Sequence, residues 1–258
     1  MKINSLLVLV AAAFLISCGG PSKVADSETK TDSLIINNKD LQKSSRLFKE
    51  TSLPFLVDTA LMFKMENGDS LGSFEIKALA ATAFKHDLSR GMDYDLTIFY
   101  KIDSIKEVGK YQQYCDSLDI GMTKVCTAHA LNEFHLDNNT LILIWGIRAS
   151  SYEACPSSST WNTYGTIVYR GNVGETFFLG ECSYWADPPV ASERIVTSKI
   201  MGDGTIAMDV YQLNDQDMDS AYVEITKEKY AFAIKDGIIK AVGEKTDTTY
   251  QEKRKPQN

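Results

Sequence analysis

Residues 194–211, RIVTSKIMGDGTIAMDVY, decide the architecture. Arg194 to Met201 and Thr205 to Tyr211 are short runs rich in Ile, Val, Thr and Tyr, side chains that suit a pleated surface. Between them lies Gly202-Asp203-Gly204, in which Asp-Gly supplies the positive φ that a tight hairpin turn requires. The same grammar recurs on either side. Gly165 to Arg170 and Glu175 to Gly180 flank Gly171-Asn172-Val173-Gly174, and Tyr230 to Ile234 and Ile238 to Val242 flank Lys235-Asp236-Gly237. Upstream, the run TLILIW (Thr140 to Trp145) is unbroken and apolar, the pattern of a strand covered on both faces. From Thr140 onward the sequence therefore predicts an antiparallel β-meander. No period of roughly 20–50 residues repeats, which argues against a solenoid or propeller.

Before Thr140 the pattern is mixed. Leu53 to Val57 and Leu61 to Met65 read as short extended pieces, and Ser73 to Phe84 as a helix. Leu96 to Ile102 is β-rich, and Asp103 to Leu118 places Ile105, Val108, Tyr111, Tyr114 and Cys115 along one helical face behind an Asp103 or Ser104 cap. The fold class expected is α+β: a mixed helix and strand part, then the meander, packed as a single domain over residues 53–243, with a possible subdivision near 139. Residues 18–52 are mostly polar, with Leu34-Ile35-Ile36 the one apolar cluster, and read as a tether, with a short helix possible from Leu41 to Lys49. Residues 244–258 read as a polar tail.

The start of the chain speaks to address. Lys2 precedes eleven apolar residues, Leu6 to Ile16, and Ser17 leads into Cys18. That run is well short of the roughly 20 residues needed to cross a bilayer, so residues 1–17 read as a signal peptide. The segment Leu15-Ile16-Ser17-Cys18 resembles the lipobox of bacterial lipoproteins. The resemblance implies acylation of Cys18, attachment to the bacterial cell envelope through more than one chain, and, with Gly19 rather than Asp next, the outer membrane. Asp26 and Glu28 leave surface export open, so the face is not assigned.

Composition narrows the partners. The formal charge is −7, and loss of residues 1–17 removes Lys2 and no acid, giving −8. Such a chain offers nucleic acid no clustered cationic footprint. Four cysteines follow Cys18, and an exported domain permits two disulfides. Sequence proximity favours Cys115–Cys126 and Cys155–Cys182; four buried thiols is the alternative.

Catalytic signals are sparse. No nucleophile elbow occurs, and Ser157-Ser158-Ser159 reads as a loop. The histidines are His86, His129 and His135. Read as helical, His129 and His135 diverge and do not form a zinc pair. Asp215, Asp217 and Asp219 alternate as in the opening of a calcium loop, a weak Ca²⁺ candidate. Ser220 stands where that loop wants Gly, Thr226 where it wants a closing Glu, and Glu224 is out of register.

The aromatic residues carry more. Trp145, Trp161 and Trp185 cluster with Tyr152, Tyr164, Tyr169 and Tyr184. Trp161 and Trp185 stand beside loop signals that a Cys155–Cys182 bond would join. With Tyr184 and Asp187 they form a candidate platform for a glycan, a peptide or an envelope protein, as amphipathic rings suit partly wet sites. The function expected is a non-enzymatic ligand- or partner-binding domain held at the membrane by lipid. The alternative is a glycan or peptidoglycan hydrolase using paired carboxylates such as Glu153, Glu181 or Asp187.

Overall fold

The computed structural model describes residues 36–80 apart from position 38, Leu96 and Phe99, 123–151, 157–187, 190–215 and 222–252. These belong to one compact unit, 32–258, with an α+β fold dominated by strands. The N-terminal part runs α1 (Lys39–Ser44), a 3₁₀ turn (Ser45–Leu47), β1 (Lys49–Glu50), β2 (Phe55–Val57), α2 (Thr59–Phe63), a second 3₁₀ turn (Met65–Asn67), β3 (Ser70–Leu71) and α3 (Ser73–Leu79). The meander follows: β4 (Thr123–Asp137), β5 (Thr140–Ser151), β6 (Ser157–Tyr169), β7 (Asn172–Asp187), β8 (Val190–Ile200), β9 (Thr205–Asp215), β10 (Tyr222–Lys235) and β11 (Ile238–Glu252). Spatial order is β1-β4-β5-β6-β7-β8-β9-β10-β11, with β2 on β8 and β3 on β4. Every step from β4 to β11 is antiparallel.

Turn chemistry sets the registers. Asp236 and Gly237 both have positive φ, 54° and 78°, and Lys235 stands opposite Ile238, so this is the two-residue mirror-image turn that matches strand twist. Arg170 and Gly171 repeat it at φ 49° and 79°, with Tyr169 opposite Asn172. The turn thus sits earlier than Gly171-Asn172-Val173-Gly174, and β7 begins at Asn172. With register fixed, β9 buries Ile206, Met208 and Val210 and exposes Ala207 and Asp209.

The apolar run in β5 is buried at every position from Thr140 to Ile147. Two different neighbours achieve this. On one face Trp145 Nε1 donates to Thr166 Oγ1 (2.9 Å). The hydroxyls of Thr166 (3.1 Å) and Thr176 (2.8 Å) in turn donate to the carbonyl of Leu79, satisfying an orphan acceptor at the C-terminus of α3. On the other face, the space a Cβ on Gly146 would claim is filled by Met65. Gly180 of β7 leaves the same kind of hollow for Met62 and Val57. Helix α2, which carries Met62 and leads into the 3₁₀ turn carrying Met65, starts from Asp58, whose carboxylate accepts from Leu61 N–H (2.9 Å).

β2 acts as a wedge. β7 and β8 pair from Asp187–Val190 to Glu181–Val196, and beyond that β8 pairs with β2 instead, Val57 on Ser198 and Phe55 on Ile200. Ser198 Oγ reaches back to the Leu179 carbonyl at 2.6 Å, holding β7 across the divergence.

Several expectations are revised. The domain begins before 53: Ile36, Leu41 and Phe48 are buried, and Asn37 N–H donates to the Gly171 carbonyl at 2.7 Å. Residues 123–137 form a 15-residue strand rather than helix and turn. Leu96 and Phe99, in the stretch read as β-rich, have helical backbone, and their three-residue spacing buries both. Residues 244–252 continue β11 instead of fraying, because the Asp236-Gly237 turn aligns them with β10 as far as Glu252–Tyr222. The helix expected at 103–118 lies outside the described residues.

Candidate functional site

Trp161, Tyr164, Tyr169, Tyr184 and Trp185 all lie on strands β6 and β7. Trp161 stands opposite Cys182 and Ser158 opposite Trp185, with no bulge between these pairs. Successive side chains alternate faces, so Trp161, Cys182 and Tyr184 share one face, while Trp185 lies on the other with Glu181 and Ser183. The single platform expected from Trp161 and Trp185 is thereby split in two. Asp187 ends β7 opposite Val190.

The Trp161 face is the more open. Phe63, delivered by the last turn of α2, meets Trp161 edge-on, with centroids 5.1 Å apart and planes at 85°. Arg148, directly opposite Trp161 on β5, places its guanidinium 5.6 Å from the indole centroid and pairs with Glu66. Tyr184 is 51% exposed and Phe63 56%, whereas Trp161 is half-buried and packs on the core. The result is a strip of rings with a fixed cation at one edge and Glu193, paired with Tyr184, at the other. Quadrupolar ring faces beside a cation and a carboxylate suit flat, partly polar ligands.

Cys182 sits in the middle of that strip. Burial pushes its thiol up, and the charges of Glu193 and Glu181 push it further. It stays protonated at neutral pH, opposite to what a nucleophilic cysteine needs. The proposed partners Cys155 and Cys115 lie outside the described residues; Cys126 is buried on β4.

On the opposite face the Glu181 carboxylate pairs with the Arg194 guanidinium, both largely buried, and its second oxygen accepts from Ser183 Oγ at 2.5 Å. Both carboxylate oxygens of Glu181 are thus engaged by neighbouring side chains within the sheet. Close by in the same sheet, Tyr230 donates to Glu228 (2.9 Å), and partial burial with that carboxylate pushes its phenol up to about 12.

The other sequence candidates fare differently. His129 is buried on β4, with Nδ1 3.2 Å from the Gly68 carbonyl and Nε2 3.1 Å from Thr127 Oγ1. Both ring nitrogens are thus occupied within the fold. His135 is exposed on the same strand. Asp215 ends β9, whereas positions 217 and 219, like His86 and Glu153, lie outside the described residues. Among the described residues no three His, Cys, Asp or Glu side chains converge as a metal site.

Sequence reasoning missed Phe63 and Arg148. Arg148 left a signal, as the sole charge in the otherwise apolar stretch 140–149. Phe63 left none, since only the docking of α2 on β6 and β7 brings it to Trp161. No protein-family model, curated protein or solved structure matches the chain.

Proposed function

We propose that the chain is an envelope lipoprotein, anchored through an acylated Cys18, whose domain binds a glycan or peptide without catalysis across the Phe63–Trp161–Tyr184 strip. The observation that carries this reading is the pair of rings, Phe63 and Tyr184, each more than half exposed on either side of a core-packed Trp161. Rings held by packed helix and strand elements lose little entropy on contact, and the Arg148 guanidinium adds an oriented donor for a hydroxyl or carbonyl.

The test is a titration of intrinsic tryptophan fluorescence with envelope-derived oligosaccharides and peptides. Saturable quenching by one class, weakened at least tenfold in Phe63→Ala/Tyr184→Ala with folding intact, is the expected result. Binding indifferent to that double substitution sinks the site assignment. For the anchor, incorporation of a labelled fatty acid into the wild type and its loss in Cys18→Ser is expected; equal labelling of both refutes it.

A further inference from the structure

The outer edge of β11 points to a second copy of this chain. β11 ends the strand path and, among the described residues, pairs with β10 alone. Residues 240–251 are exposed throughout, so alternate backbone N–H and C=O groups along the far edge meet solvent. An edge this long is a template for strand addition unless its side chains forbid it.

Its charges disfavour several pairings, and charge together with edge geometry favours one. Two copies joined edge to edge by a two-fold axis normal to the sheet must centre on a residue, because directly opposed side chains have to share a face. Centring on Lys245 or Asp247 sets that charge against itself, and centring on Glu244 does the same. Centring on Thr248 opposes Glu244 to Glu252. Centring on Val242 opposes Lys240 to Glu244, but Val242 is the bulged residue and the nearby Ile239 N–H already donates to the Glu175 carboxylate at 2.9 Å. Centring on Thr246 opposes Lys245 to Asp247 twice on the regular part of the strand. At the ends of that register Val242 meets Tyr250, the two most exposed large apolar side chains described, at 62% and 69%. The bulge that places Val242 outside the β10 register marks one limit of the segment.

We propose that two copies associate through antiparallel pairing of residues 242–250 of β11, centred on Thr246, making one sheet continuous across both molecules. Unlike charges directly opposed across strands stabilise the pairing and like charges oppose it, so the alternation of Glu, Lys and Asp, with the bulge at Val242, selects partner and register.

The experiment uses the full chain in a mild non-ionic detergent, with mass read by sedimentation equilibrium over a concentration series. The wild type is expected to show a reversible monomer–dimer equilibrium that weakens with added salt. Lys245→Glu sets Glu against Asp247, and Asp247→Lys sets Lys against Lys245; each is expected to weaken self-association at least tenfold. An equimolar mixture of the two single variants restores both attractive pairs, and so does the double variant Lys245→Glu/Asp247→Lys; both are expected to dimerise like the wild type. Amide hydrogen exchange across 243–249 in the wild type gives a readout that needs no variant: protection rising with protein concentration is expected. A wild type monomeric at every concentration overturns the proposal. So does a dimer that survives both single substitutions, exchange that ignores concentration, or protection that appears only on adding a different protein.

Discussion

β5 and β11 belong to the same ladder and have similar lengths, yet they are opposite kinds of strand. From Thr140 to Ile147 every residue of β5 is buried, one face against α3 and its threonine clasp, the other against the methionines of the N-terminal part. From Lys240 to Gln251 every residue of β11 is exposed. Both are continuous strands, so burial is not what makes a segment extended here. A two-residue turn of defined hand gives the residues of β11, apart from the bulged Val242, their partners on β10, and a paired backbone needs no apolar side chain to stay aligned. Burial decides how much each strand contributes to stability. Net hydrogen bonds contribute about 0.5–1.5 kcal/mol each, whereas burying one large side chain adds about 1.5–3 kcal/mol.

That contrast can be broken at its strong end first. Trp145→Ala removes a fully buried indole and the donor to Thr166, and is expected to cost about 3–5 kcal/mol in urea unfolding. A cost under about 1 kcal/mol means the β5 core repacks freely and the contrast is false. Gly146→Ala is expected to cost about 1–3 kcal/mol, because its methyl group claims the space of Met65, and Met65→Ala in the same chain is expected to recover part of that loss. Strict additivity of the two changes places Met65 elsewhere.

At the other margin of the ladder, Glu50 lies beside Glu133 in the parallel β1–β4 pairing. Burial, and then the Glu50 charge, raise the Glu133 pKa above its ordinary 4.5. A carboxyl whose pKa is raised on folding favours the protonated form, so its contribution to stability falls as pH climbs from about 4.5 through the raised value. Glu133→Gln is expected to flatten thermal stability across that window and to raise it at neutral pH, by less than the Gly146 effect. A steeper pH dependence in the variant refutes the sign. Smallest of all, Tyr250→Ala on β11 is expected to move the unfolding free energy of dilute protein by no more than about 0.5 kcal/mol. A larger loss means β11 is braced by something beyond β10.

The strands that the sequence announced are those whose turn residues and periodicity agree. The β8–β9 hairpin is legible because Gly202-Asp203-Gly204 separates two regular runs, and TLILIW because a continuous apolar run of six leaves no period to misread. β4 was hidden by its own irregularity. Register shifts at Thr123/Val125, Ala130/Asn132 and His135/Asp137 break the period of two, so polar residues fall at spacings that mimic a helix. The start of the domain was hidden by dilution: Ile36, Leu41 and Phe48 anchor it, but polar residues outnumber them. For the site, composition found Trp161 and Tyr184. Which of their neighbours shares their face is a matter of register, and no property of Trp185 itself reveals that it points the other way.

The glycine hollows at Gly146 and Gly180 have a chemical corollary. Met65 and Met62 fill them with thioethers, and both side chains are wholly shielded. Burial slows oxidation of both sulfurs, and opening of the N-terminal part from the sheet would expose them. Under added peroxide the two methionines therefore act as a chemical clock for that opening, read as the rate of sulfoxide formation against that of exposed methionine.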